Sequence, residues 1–232
     1  MTSPAASVPA GRQPANARLR NVDLFGPAGR LEAIVNEGAP DAPFAALVCH
    51  PHPLGGGSLH NKVVYHAMKT LNAPRWGFHY PVLRFNFRGV GLSDGVHHGS
   101  EEVDDVLAAI NFLENEYALP IVVVGFSFGA AMALEACAQT GADVRAIAAL
   151  GLPAQAEGRT YRYSFLADLR KPKLFLSGDR DPFAPPVELE TIVRLASEPK
   201  QLVLVPGADH FFAGRLSQMQ DALAAWLKEQ LL

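Results

Sequence analysis

Three side-chain types that together perform acyl transfer stand at sharp turns in this 232-residue chain: a serine hydroxyl, an imidazole and a carboxylate. The serine is Ser127, in Gly125-Phe126-Ser127-Phe128-Gly129. Its hydroxyl is a poor nucleophile at neutral pH unless a base removes the proton. His210, directly after a strand-like run and followed by Phe211-Phe212, is placed to be that base. A carboxylate must then hold the imidazole tautomer and stabilise the imidazolium. Asp179 and Asp181, in Gly178-Asp179-Arg180-Asp181-Pro182-Phe183, both qualify on residue type and place. The oxyanion formed on attack needs fixed N–H donors. The amide of Phe128, at the head of a helix beginning beside the serine, is one.

The elements that must position these groups are legible from their patterns. Ile121-Val122-Val123-Val124 is a β-branched run suited to a strand buried on both faces. Ala130 to Ala136 is rich in strong helix formers. A buried strand turning into a helix through serine, with glycine two residues to either side, is the nucleophile-elbow pattern. The glycines are needed where neighbouring backbone leaves no room for a Cβ.

Upstream, Leu19–Leu24 and Leu31–Asn36 read as an edge hairpin turning at Gly26-Pro27-Ala28-Gly29. Phe44–Cys49 and Pro81–Phe87 read as strands, and residues from Leu59 to Leu71 and from Glu101 to Tyr117 as helices. Downstream, Val144–Leu150, Lys173–Ser177 and Gln201–Val205 are strands, with helices at Pro186–Ser197 and Leu216–Leu231. Strands alternating with helices imply an α/β fold, a mostly parallel sheet covered on both faces. In such sheets functional loops lie beyond the C-terminal strand ends. The spacing predicts one domain over residues 19–232 and a disordered tail over 1–18, rich in Pro, Ala and Ser.

Composition narrows the function classes. Hydrophobic residues make up 49% of the chain, enough for a sizeable core, and no apolar run approaches the length of a membrane span. A formal charge of −3 without a basic cluster argues against nucleic acid or an anionic membrane as partner. Cys49 and Cys137 read as small buried thiols, and the first 18 residues lack the apolar stretch of a secretory signal, which fits a cytoplasmic protein. Arg12, Arg18 and Arg20 without early acidic residues keep an organelle leader open. His50 and His52 lack a third ligand at recognisable spacing, so no metal or other cofactor is expected. His97 and His98 read as solvated rim residues. Arg88, Ser93 and Asp94 read as fixing their own loop, and Phe128 and Phe183 as candidate walls of an acyl pocket.

The sequence resembles the α/β-hydrolase superfamily over nearly everything after residue 19. It is most similar to small bacterial hydrolases that carry His-Pro-His-Pro before a glycine-rich loop, then Asn-Lys, then Arg-Phe-Asn-Phe-Arg-Gly-Val-Gly-x-Ser-x-Gly. These stand at His50–Gly57, Asn61-Lys62 and Arg84–Gly95. The order Ser…Asp…His is the order of that fold. The resemblance makes Asp181 the acid and implies Leu54 as the second oxyanion donor. Residues 152–171 leave room for one short helix, Ser164–Leu169, and no cap domain. The implied function is a carboxylesterase-like serine hydrolase acting on small acyl esters. Thioesterase or amidase/peptidase work on the same triad stays open, as does a non-catalytic binding protein on the same fold. The sequence leaves the oligomeric state open, a homodimer included.

Overall fold

The sheet grows outward from its most apolar strand. In the computed structural model, which describes residues 18–231, the edge hairpin is β1 (Leu19–Gly26) and β2 (Gly29–Asn36). The chain continues through β3 (Ala45–Cys49), α1 (Lys62–Asn72), β4 (Val82–Phe85), α2 (Glu102–Tyr117), β5 (Ile121–Phe126), α3 (Phe128–Gln139) and β6 (Val144–Leu150). It then forms a small hairpin, β7 (Gln155–Ala156) and β8 (Arg159–Thr160), followed by β9 (Lys173–Gly178), α4 (Pro186–Leu195), β10 (Lys200–Val205) and α5 (Leu216–Leu231). The main sheet has the order β1-β2-β4-β3-β5-β6-β9-β10. Pairing is antiparallel from β1 to β4 and parallel from β4 onward.

Every residue of β5 is buried, as its uninterrupted apolar run requires of a strand covered on both faces. One side of the sheet packs on α2, α3 and α4, the other on α1 and α5. The expected α/β architecture without a cap domain is present. The tail expected over 1–18 lies outside the described residues, apart from Arg18, whose carbonyl accepts the Glu37 N–H at 2.9 Å.

Three of the differences from the sequence pattern have a local reason. The helix expected from Leu59 starts at Lys62, because Asn61 caps it by accepting the Val63 N–H at 2.9 Å. The strand expected to reach Phe87 stops at Phe85, and the Phe87 N–H donates instead to His50 Nε2 at 3.0 Å. Residues 152–171 hold the β7–β8 hairpin, turning at Glu157-Gly158, as well as a single 3₁₀ turn at Ser164–Ala167.

Candidate active site

Ser127 occupies the turn between β5 and α3 at φ 56° and ψ −121°, a conformation L-residues rarely adopt. The turn is made possible by close backbone approach. A Cβ at Gly125 would collide with the Gly129 carbonyl, and one at Gly129 with the His50 carbonyl, so the two glycines let α3 start against β3 and β5. The Ser127 hydroxyl does not cap α3. It lies 3.0 Å from His210 Nε2.

His210 follows β10, and Asp181 follows β9, the neighbouring parallel strand, with Gly178 in register with Val205. Their loops therefore leave the sheet side by side. His210 Nδ1 is 2.8 Å from Asp181 Oδ2. A carboxylate only accepts, so Nδ1 carries the proton and donates it there, leaving Nε2 to accept from the Ser127 hydroxyl. Asp181 is held in turn by the Ser177 hydroxyl, which donates to Oδ2 at 2.9 Å, and by the Phe183 N–H, which donates to Oδ1 at 2.9 Å. All three groups of the chain are buried, with Ser127 only 5% exposed. Asp179 lies apart: it is exposed, and its Oδ1 accepts the Gly207 N–H at 2.7 Å, bracing the loop after β10.

Aromatic rings enclose the imidazole. Phe183, Phe126 and Phe211 have centroids 4.5, 5.0 and 5.2 Å from that of His210. Gly151, at φ 54°, lets the imidazole lie against the end of β6: a Cβ there would be 3.2 Å from His210 Nδ1. Neither Gly151 nor Ser177 stands out in the sequence, since a glycine after a strand and a serine within one are ordinary.

Ser127 and His210 open into a small cleft of about 70 Å³ lined also by Pro51, His52, Glu157 and Phe183. Phe183 does line it. The Phe128 ring, in contrast to the acyl-wall expectation, is fully buried behind His52 and packs on Phe87. A larger surface hollow of about 530 Å³ between β1 and α2 shares no residue with the cleft and holds no nucleophile–base pair.

The amide groups of the site divide clearly. The Phe128 N–H, at the start of α3, donates to no protein acceptor among the described residues. The Leu54 N–H is already bonded to His52 Nδ1 at 3.2 Å, and the Leu54 side chain is 74% exposed outside the cleft lining. In the same turn, the N–H of His52 itself has no acceptor among the described residues, while its two proline neighbours have none to donate.

His50 and His97 are packed into the scaffold. His50 donates from Nδ1 to the Pro51 carbonyl at 2.7 Å and accepts from Phe87, and burial pushes its pKa down to about 4. His97, expected to be solvated, is instead mostly buried with Nδ1 2.7 Å from the Glu102 carboxylate. His98 is half exposed. Among the described residues, no three His, Cys, Asp or Glu side chains converge as a metal site would need. Arg88, Ser93 and Asp94 hold the loop after β4. Arg88 pairs with Asp105 at 2.8 Å, Ser93 donates to the Asn86 carbonyl at 2.7 Å, and Asp94 accepts the Arg30 N–H at 2.8 Å.

Comparison with known proteins places this geometry in context. A family model described as an alpha/beta hydrolase domain matches residues 52–229. An uncharacterised protein of Rickettsia prowazekii is 36% identical over 211 residues, covering 87% of this chain and 86% of its own. A solved alpha-beta serine hydrolase homologue from Coxiella burnetii superposes with a TM-score of 0.79 at 31% identity, covering 89% of this chain and 96% of that one. A serine hydrolase without lid from Xanthomonas campestris gives 0.77 at 29% identity, covering 92% and 95%.

Proposed function

The chain belongs to the alpha/beta hydrolase family, and on that footing we propose that it is a serine hydrolase of carboxylesterase type, cleaving small acyl esters. The observation that carries the reading is the unbroken relay Asp181–His210–Ser127, with separations of 2.8 and 3.0 Å, at the mouth of an uncovered cleft.

Ser127 Oγ attacks the ester carbonyl carbon while His210 Nε2 takes the hydroxyl proton. Asp181 stabilises the imidazolium without itself becoming protonated. The negative oxygen of the tetrahedral intermediate is held by the Phe128 amide and by an amide of the Pro51–Gly57 turn. The His52 N–H is the one free for this, since the Leu54 N–H is committed to His52 Nδ1. Collapse expels the alcohol with the proton returned from His210. Water, deprotonated by the same imidazole, then attacks the acyl-enzyme and regenerates the serine. The two buried, unbridged cysteines accord with a reducing cytoplasmic setting.

The test is labelling with a fluorophosphonate, which phosphonylates only an activated serine. A stoichiometric adduct on Ser127, lost in Ser127→Ala, is expected. Correctly folded protein that takes no label and hydrolyses no p-nitrophenyl ester would instead be a binding protein on this fold.

A further inference from the structure

One imidazole in the cleft has no part in the proton transfers above. His52 lies between two prolines, and its ring packs edge-on against Phe128 at 5.0 Å and His97 at 4.9 Å. Its Nδ1 accepts the Leu54 N–H at 3.2 Å, and its carbonyl accepts from Gly55 at 3.1 Å and Gly57 at 3.0 Å. Three amides of the turn thus converge on one residue, and among the described residues that residue's own N–H is the one of this turn without an acceptor. An imidazole nitrogen accepts only while it carries no proton, so the arrangement requires a neutral ring with its hydrogen on Nε2.

We propose that His52 is a positioning residue: its neutral imidazole caps the Leu54 amide and so holds the Pro51–Gly57 turn in the shape that presents an oxyanion donor beside Ser127. Protonation of the ring removes the acceptor and loosens the turn. The proposal rests on the hydrolase reading. The groups facing this imidazole include His97 and the buried Glu102 behind it, Glu157 and Arg159 on the β7–β8 hairpin, and His210 across the cleft. Burial first, then His97 and Arg159, lower the His52 pKa, against the opposing pull of Glu157 and Glu102. The ring is therefore neutral at neutral pH, and the loss of positioning falls on the acid side.

The experiment compares wild type, His52→Ala and His52→Asn on a short-chain p-nitrophenyl ester across pH. Asparagine places Oδ1 where Nδ1 stands, so it keeps the acceptor and cannot titrate. Losing one oxyanion donor costs roughly 100- to 1,000-fold in kcat, so a loosened donor in His52→Ala should lower kcat by about 10- to 100-fold with little change in KM. His52→Asn should restore most of that rate, and its acid limb should lack one ionisation present in wild type. Equal damage in both variants, or a wild-type rate in His52→Ala, overturns the proposal. A second readout does not depend on turnover. The ¹⁵N spectrum of the wild-type imidazole should give the Nε2–H tautomer, and Leu54 amide exchange should speed up in His52→Ala but not in His52→Asn. An Nδ1–H tautomer or unchanged exchange also overturns it. A wild type with neither ester turnover nor a fluorophosphonate adduct would sink the hydrolase reading instead, and the tautomer and exchange results still decide the capping.

Discussion

Two aspartates two residues apart have unlike environments, and this separates their roles at the scale of single residues. Asp181 receives hydrogen bonds from Ser177, Phe183 and His210, whereas Asp179 faces solvent and ties down Gly207. Asp181→Asn replaces an acceptor with an amide that favours the wrong imidazole tautomer, and kcat should fall by roughly 10⁴-fold. Asp179→Asn should keep most of its rate. Steady-state kinetics on one ester checks both, and the reverse ranking would exchange their roles. His50 carries a different prediction. Its folded pKa of about 4 lies below the ordinary value of 6.5. Between those values the unfolded chain binds a proton that the folded chain refuses, so stability is full above the upper value and falls as pH drops towards the lower. The loss is on the order of 3 kcal/mol. Thermal melts from pH 7 to 4 should fall more steeply in wild type than in His50→Gln.

At the scale of elements, the elbow works because α3 begins in contact with the ends of β3 and β5. At Gly129 the contact leaves no room for a side chain, with the His50 and Cys49 carbonyls directly in its path. Those obstacles are backbone, which cannot rotate aside. Gly129→Ala should therefore cost about 1–3 kcal/mol or more, the usual penalty for overpacking, and slow labelling of Ser127 as the turn shifts. A urea midpoint unchanged from wild type would contradict the close approach. The same crowding explains why α3 has no side-chain cap: the residue at that position holds its hydroxyl towards His210.

Across the whole molecule, three loops from separate strands meet at one rim of the sheet, and between β6 and β9 the chain forms only a two-stranded hairpin and a 3₁₀ turn. No helix among the described residues is long and apolar enough to cross a membrane. The cleft of about 70 Å³ is far below the roughly 300–1,000 Å³ typical of pockets that enclose larger ligands. Short acyl chains should therefore be turned over best, with p-nitrophenyl acetate and butyrate ahead of laurate and palmitate. A clear optimum at long chains would mean that a deeper channel opens on binding.

The sequence alone carried the strand–serine–helix turn, the alternating order of elements, and the loops bearing Asp181 and His210, because each is a short stretch whose pattern follows from local sterics and periodicity. The hydrogen-bond partners were beyond it. Whether Asp179 or Asp181 meets His210 depends on groups 28 and 29 residues away in sequence, and whether the Leu54 amide turns back to His52 or His97 lies against Glu102 depends on how the loops around them are packed. Only the packed sheet brings β9 beside β10 and the loop after β3 beside α3. Burial then fixes which polar atoms must find each other, a condition that no local stretch of chain contains.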